Sequence, residues 1–142
     1  MTVAEATSVD DELVDAFARL VPQLSGSSPP PGPAQLAQML DAPGTHLLLA
    51  REDDGPIIGA LTLVVFRIPT GVRAWIEDVV VDEPARGRGV GEALTCRALE
   101  ISAEAGARTV DLTSRPTRAA ANRLYQRLGF EPRETNVWRR TI

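Results

Sequence analysis

The amino-terminal third of the chain combines one short strand pattern with two amphipathic helical patterns. Residues 2–5 predict a first strand, and apolar positions at helical spacing predict helices over residues 10–21 and from Pro33 onward. The apolar stripe of the first helix consists of Leu13, Phe17 and Leu20. Between the helices, the serine-, proline- and glycine-rich residues 25–32 predict either a plain linker or a flexible wall of a substrate site.

Three apolar runs separated by short turns follow the second helix. They predict strands over residues 46–51, 57–67 and 73–81, and the Asp-Gly-Pro turn near residue 55 favours antiparallel pairing. Gly59 lies inside the second of these runs, where glycine indicates either a bulge or a close approach of another segment.

The pattern then changes to alternating helices and strands. A strong helical pattern covers residues 89–105, an apolar run at 109–113 predicts a strand, and a second helix is predicted over 116–128. Because a helix connects the third strand to the strand at 109–113, these two strands are expected to be parallel neighbours. Two short strands, 130–133 and 137–141, are predicted to end the chain.

These elements predict an α+β fold in one domain over residues 1–142, with a mixed, mostly antiparallel central sheet flanked by about four helices. A chain of 142 residues with 44% hydrophobic residues is long enough for one core. The net charge of −4 argues against broad nucleic-acid binding, and no apolar run is long enough for a membrane span. The first residues lack a signal-peptide pattern, so a cytoplasmic protein is expected.

The chain offers little metal or disulfide chemistry. With one histidine and the single Cys96, it permits no internal disulfide and predicts no metal site. Cys96 falls in the middle of a predicted helix rather than at its start, so it is not expected to act as an activated nucleophile.

A glycine-rich basic loop, Arg86-Gly87-Arg88-Gly89-Val90-Gly91, follows the third strand and opens a helix. Its glycines allow backbone N–H groups to approach an anion, and the helix start adds partial positive charge at the same point. The loop is therefore predicted to bind a pyrophosphate. A turn without a ligand is the alternative, and it is disfavoured because two arginines exceed what a turn requires.

Two common phosphate-binding motifs do not match this loop. The dinucleotide fingerprint requires G-x-G-x-x-G, and Glu92 stands at the position of its last glycine. The P-loop requires Gly-Lys followed by Ser or Thr, and the chain has no such triplet. A nucleotide-binding domain, which would bind ATP and not respond to coenzyme A, stays as one alternative function.

The loop and its surroundings resemble the GNAT superfamily of acetyl-CoA-dependent N-acetyltransferases. Residues 86–91 satisfy the superfamily motif Gln/Arg-x-x-Gly-x-Gly/Ala, and residues 76–82 resemble the strand that precedes it. The superfamily's Leu-Tyr-x-x-x-Gly-Phe signature is matched by Leu124-Tyr125-Gln126-Arg127-Leu128-Gly129-Phe130. The resemblance implies a GNAT-like fold, in which two parallel strands splay apart where the cosubstrate enters.

The resemblance implies acetyl-CoA as cosubstrate and no metal. Its pyrophosphate would bind the loop, and its pantetheine arm would pair with the backbone of Val79 and Val81. A backbone N–H near Val79 would polarise the thioester carbonyl. The residues expected to contact acetyl-CoA are Val79, Val80, Val81, Arg86, Gly87, Arg88, Gly89, Val90, Gly91, Glu92 and Asn122.

One position departs from the superfamily pattern. Many relatives carry a cofactor-contacting Asn seven residues before the tyrosine, and this chain has Arg118 there. Asn122 shares a helix face with Arg118 and Tyr125, so it is expected to replace the missing contact.

The resemblance makes Tyr125 the general acid that protonates the departing thiolate, and Glu77 the base for the amine. For Tyr125 the alternative is an amphipathic residue with its hydroxyl at the surface, and for Glu77 a solvated strand charge. Unless a bulge intervenes, alternation places four side chains on one face of the strand: Trp75, Glu77, Val79 and Val81.

Three further polar or aromatic residues have plainer assignments. Ser114 is predicted to cap the helix that begins at Pro116, although it also lies near the expected cleft. Trp75 and Trp138 are expected to pack in the core or at a subunit contact.

The predicted function is acetyl transfer to a small primary amine. Acetylation of a protein N-terminus or lysine is the alternative within the same class. A non-catalytic acyl-CoA-binding module is the alternative outside it, since such a module would keep the loop and dispense with acid and base. By resemblance, a homodimer is also expected.

Overall fold

A computed structural model describes residues 1–142 and contains one five-stranded mixed sheet of order β1-β2-β3-β4-β5. Its strands are β1 (Thr2–Glu5), β2 (Thr45–Arg51), β3 (Ile57–Ile68), β4 (Gly71–Val81) and β5 (Thr109–Asp111). Neighbouring strands from β1 to β4 are antiparallel, and β4 and β5 are parallel. The predicted fold class is thereby confirmed.

Four helices flank the sheet. They are α1 (Asp11–Leu24), α2 (Pro33–Asp41), α3 (Val90–Glu104) and α4 (Ala119–Arg127). The start of α1 is fixed by Asp10, whose carboxylate accepts the Leu13 backbone N–H at 2.8 Å. No helix combines the length and the apolar composition that crossing a bilayer would need.

The helices cover opposite faces of the sheet. Apolar side chains of α1 and α2 pack with β2, β3 and Val80 of β4 on one face, and α3 packs on the other. The start of α3 lies very close to β3, because a Cβ added to Gly59 would be 2.9 Å from Val90 Cγ1. The close approach predicted at Gly59 is confirmed, and it fixes the position of the α3 N-terminus on the sheet.

A bulge interrupts β4 beside the loop that leads to α3. The pairing with β3 skips one residue, so that Asp78 and Val79 together oppose Leu61. Asp78 has φ of +50°, a left-handed backbone that non-glycine residues seldom adopt. Such conformations concentrate at functional sites, where the surrounding structure maintains the strain.

The bulge reverses the alternation of side chains along β4. Before it, Ala74 and Ile76 face α3, and after it Val80 faces α1 on the other side of the sheet. The prediction that four alternate residues share one face is therefore wrong: Trp75 and Glu77 lie on the side away from α3, while Val79 and Val81 pack toward it. The extra residue in the strand is the physical reason.

The parallel strands β4 and β5 pair over three residues only, from Arg73 with Thr109 to Trp75 with Asp111. Beyond Trp75, the edge of β4 that faces β5 has no strand partner. The predicted strand at 109–113 is thus shortened to Thr109–Asp111. The resulting gap opens toward the N-terminus of α3.

The carboxy-terminal segment differs from its prediction. Residues 131–142 are exposed and form neither of the two short strands predicted there. The chain itself presents no long strand edge for them, since β5 has three residues. Trp138 is 89% exposed, so it is not a core residue as one prediction had it.

Candidate functional site

The loop between β4 and α3 carries an unusual run of free backbone donors. Gly87 and Gly89 have φ of +76° and +79°, which side chains would disfavour. None of the six backbone N–H groups from Gly87 to Glu92 donates a hydrogen bond within the chain. The N–H of Arg86 is already donated to Glu83 O at 3.2 Å, so the free run begins at Gly87. Six donors at the N-terminus of a fifteen-residue helix form a site suited to an anion.

The two arginines of the loop have partners in the protein. Arg86 Nε donates to Val81 O at 3.1 Å and its Nη2 lies 3.4 Å from Gln23 Oε1. Arg88 Nη2 lies 2.7 Å from Glu52 Oε1 in an exposed ion pair. Exposed ion pairs of this kind contribute little to stability, so Arg88 can leave Glu52 for another anion at little cost. Direct contact of either guanidinium with a phosphate stays a prediction.

The valines named as cosubstrate contacts differ in what they can offer. The side chains of Val80 and Val90 are 6% and 3% exposed, so only their backbone can face a ligand. The carbonyl of Val81 is occupied by Arg86. A Cβ at Gly91 would lie 3.7 Å from Leu124 Cδ2 and 3.9 Å from Val81 Cγ2, which leaves room for the alanine that the superfamily motif tolerates.

A cavity of about 710 Å³ lies beside β4 and β5 on the face away from α3. Its walls come from both strands, from α4 and from the carboxy-terminal segment, and its polar and aromatic lining includes Arg73, Trp75, Asp111, Ser114, Asn122 and Tyr125. Polar groups among aromatic rings in a concave site are typical of small-molecule binding.

Tyr125 is a buried residue of α4 at this cavity, 9% exposed. Its ring packs edge to face on Phe130, with centroids 5.7 Å apart and an interplanar angle of 66°. Burial raises the pKa of the phenol above its ordinary value of 10.0, and the nearby Arg118 partly opposes this. The ring is therefore packed inside the protein, and the phenol keeps its proton at neutral pH.

Glu77 is exposed and fixed by its neighbour. The indole Nε1 of Trp75 donates to Glu77 Oε1 at 2.7 Å. Trp75 lines the same cavity as Tyr125, so Glu77 is hydrogen-bonded to a residue of the cavity wall. Tyr125 lines the cavity, whereas Glu77 is linked to the cavity only through Trp75, and Val79 packs on the opposite face of the sheet.

The segment before α4 departs from its prediction. The helix begins at Ala119 with Arg118 as N-cap, so Ser114 does not cap it. Ser114 Oγ is instead buried without a hydrogen-bond partner. Asn122 Nδ2 donates to Arg115 O at 3.0 Å, which ties this segment to the helix. Its amide oxygen stays available at the cavity, where contact with a cosubstrate is still a prediction.

Sequence reasoning missed a cluster of three polar side chains, Arg19, Gln23 and Asp82, at the end of β4. Gln23 and Arg19 of α1 hydrogen-bond to Asp82, about 60 positions away in the chain, where β4 ends. No local pattern marks these residues, because helix-end glutamines and arginines are common on solvated surfaces. No group of three or more His, Cys, Asp or Glu side chains is placed to bind a metal ion.

Comparisons of the sequence and of the structure with known proteins both find acetyltransferases. A family model described as the acetyltransferase (GNAT) family matches residues 10–130. The chain is 33% identical over 90 residues to a mycothiol acetyltransferase of Beutenbergia cavernae, covering 63% of this chain and 29% of that protein. It is 39% identical over 70 residues to an uncharacterized N-acetyltransferase of Methanocaldococcus jannaschii, covering 49% and 31%. The matches thus span about a third of the length of these relatives.

Solved structures match over nearly the whole chain. A putative acetyltransferase from Agrobacterium tumefaciens superposes with a TM-score of 0.87 at 26% identity, covering 99% of this chain and all of that one. An aminoglycoside acetyltransferase from an uncultured soil sample has a TM-score of 0.82 at 18% identity, covering 99% and 95%, which supports the fold alone.

Proposed function

Because this chain belongs to the GNAT family of acetyltransferases, we propose that it transfers an acetyl group from acetyl-CoA to a small primary amine. Family membership makes the chain an acyltransferase, and the family in general uses acetyl-CoA. The proposal adds the acceptor class, the mechanism and the residues, and it treats residues 1–142 as one catalytic domain. A homodimer and a cytoplasmic location stay predictions of the sequence.

The observation that carries the proposal is the run of six free N–H donors from Gly87 to Glu92. The diphosphate of coenzyme A is an anion that needs several donors, and the start of α3 offers them without a competing acceptor in the chain. Arg88 would add positive charge by leaving Glu52. Residues 87–92 therefore fit the diphosphate, since their backbone N–H groups have no acceptor within the chain and the Arg88 guanidinium is held only by an exposed ion pair.

The gap between β4 and β5 gives the pantetheine arm a place to bind. Past Trp75, the edge of β4 has unpaired backbone groups, and an amide-containing arm pairs with such an edge as an added strand does. Since Arg86 occupies Val81 O, pairing would use Val79 unless the arginine side chain moves. The bulge at Asp78 turns the backbone beside Val79, where an N–H would polarise the thioester carbonyl.

Acyl transfer would then need two proton movements. The amine nitrogen attacks the carbonyl carbon, the carbon–sulfur bond breaks, and the sulfur receives a proton from the Tyr125 hydroxyl. Glu77, directly or through water, takes the proton that the amine loses. Tyr125 carries the proton that this step needs, since burial raises the pKa of the phenol above 10.0. The cavity volume of about 710 Å³ favours a small molecule over a protein chain as acceptor.

Calorimetry with coenzyme A, followed by an amine panel with acetyl-CoA and detection of released thiol, tests the proposal. We expect binding of coenzyme A and thiol release with at least one small primary amine. Binding without turnover across a broad panel would favour the non-catalytic module, and turnover only with peptides would favour the protein-acetylating alternative. No heat of binding with coenzyme A would remove the proposal.

A further inference from the structure

Gln23 lies in the last turn of α1, and every hydrogen-bonding position of its amide is used. Its Nε2 donates to Arg19 O at 3.2 Å and to Asp82 Oδ1 at 2.9 Å. Its Oε1 accepts the Glu83 N–H at 2.9 Å and lies 3.4 Å from Arg86 Nη2. A side-chain amide offers two donors and about two acceptor positions, so this one is saturated. Three of its four partners belong to the segment that leads into the free N–H run.

Asp82 completes the connection. Its second carboxylate oxygen accepts from Arg19 Nε at 2.9 Å, and its side chain is only 16% exposed. The hydrogen bond from Gln23, together with Arg19, lowers the pKa of Asp82 against the opposing effect of burial. The carboxylate is thus charged at neutral pH and ties the end of β4 to α1.

The far ends of this network reach two different parts of the site. Arg86 bridges Gln23 and Val81 O, directly before the free donors that begin at Gly87. In the other direction, Gln23 is two residues from the segment 25–32, the serine-, proline- and glycine-rich connection between α1 and α2. Helix α1 covers the face of the sheet that also carries the cavity, and α3 lies on the opposite face. The side chain of Gln23 therefore ties the end of α1 to the segment 82–86 that leads into the free N–H run.

We propose that Gln23 is a positioning residue that sets the loop before Gly87 for the diphosphate and couples that loop to the α1–α2 connection. This inference rests on the proposed function, because it assigns the diphosphate of coenzyme A to the loop. It predicts that cosubstrate binding restrains residues 25–32, although none of them belongs to the free N–H run.

The matched pair Gln23→Met and Gln38→Met tests the first part. Both substitutions remove an amide at nearly constant length, and Gln38 is an exposed residue of α2 away from the loop. We expect Gln23→Met to weaken coenzyme A binding about tenfold in calorimetry, because the ligand must then order a loop that is no longer held in place, and Gln38→Met to leave it unchanged. In kinetics, the KM for acetyl-CoA should rise with little change in kcat, because Tyr125 and Glu77 are untouched.

Hydrogen exchange at the amides of residues 25–32 tests the coupling, which a merely structural role would not affect. Coenzyme A should slow exchange there in the parent and in Gln38→Met, but not in Gln23→Met at saturating ligand. Should Gln23→Met fail to fold, Asp82→Asn, which keeps the shape and removes the charge, takes its place. Equal affinity and equal protection in the parent and the variant would overturn this inference alone. Absence of coenzyme A binding by the parent would overturn the proposed function and this inference together.

Discussion

The indole N–H of Trp75 donates to Glu77 Oε1 over 2.7 Å, and this pair lies on the face of β4 away from Val79. Trp75 thereby connects the carboxylate to the wall of the cavity that Tyr125 also lines. In the proposed mechanism Glu77 would act on an amine that enters from the α1 side, while the thioester would lie in the gap between β4 and β5.

Glu77→Gln should lower kcat about a hundredfold, the usual contribution of a general base. Trp75→Phe keeps an aromatic ring and deletes the donor, so a smaller loss of kcat is expected because Glu77 is less well oriented. Steady-state kinetics across pH measures both. A Glu77→Gln variant that keeps the parent's kcat at saturating substrates would exclude Glu77 as the base.

Tyr125→Phe should lower kcat about a hundredfold at saturating substrates and leave the dissociation constant of coenzyme A nearly unchanged. The buried ring keeps its packing on Phe130, and only the hydroxyl is lost. Since burial raises the pKa of Tyr125 above 10.0, the acid stays protonated through neutral pH, and any basic limb that it causes lies above pH 10. Equal kcat values for the parent and Tyr125→Phe would reject the role.

Gly89→Ala and Gly106→Ala form a matched pair at the two ends of α3. Their φ values are +79° and +78°, and a Cβ at either position meets nothing within 4 Å. Both substitutions should therefore lower the free energy of unfolding by a similar amount, about 1 kcal/mol, through backbone strain alone.

Only Gly89→Ala should also weaken coenzyme A binding, because Gly106 is far from the free donors. Denaturant unfolding and calorimetry on the same samples separate the two effects. If Gly106→Ala weakened coenzyme A binding as much as Gly89→Ala, the assignment of the loop at Gly89 as the diphosphate site would be rejected.

Asp82→Asn should destabilise the fold in a pH-dependent way. The pKa of Asp82 is lowered in the folded state from its ordinary 3.8, so its charge stabilises the protein above that pH, and the contribution is lost as pH falls through the folded-state pKa. The difference in unfolding free energy between the parent and Asp82→Asn should be largest near neutral pH and shrink below about 3.8. A difference that stays constant down to that acid range would contradict the assignment.

The sequence predicted the parts of the fold that depend on local pattern. The helices, the antiparallel strands and the loop at Gly87 and Gly89 follow from periodicity and from glycine placement, and the structure has them. Gly59 was also informative, because glycine inside an apolar strand indicates that something packs closely upon it.

What sequence reasoning missed depends on tertiary context. The bulge at Asp78 is set by the pairing of β4 with β3, and a single extra residue there moves Val79 to the opposite face from Glu77. The contact of Gln23 with Asp82 joins residues 59 positions apart. The two strands predicted at residues 130–133 and 137–141 would need a long neighbouring strand edge, and the three-residue β5 does not provide one.

The contrast between the two tryptophans supplies a built-in optical probe. Trp138 is 89% exposed, whereas the indole of Trp75 forms part of the cavity wall. Replacing Trp138 with phenylalanine would leave a single tryptophan, which can be excited selectively and lies where a small amine is expected to enter. The emission wavelength and acrylamide quenching of that indole would then report occupancy directly, so that candidate acceptors can be screened by titration without labels and without waiting for turnover.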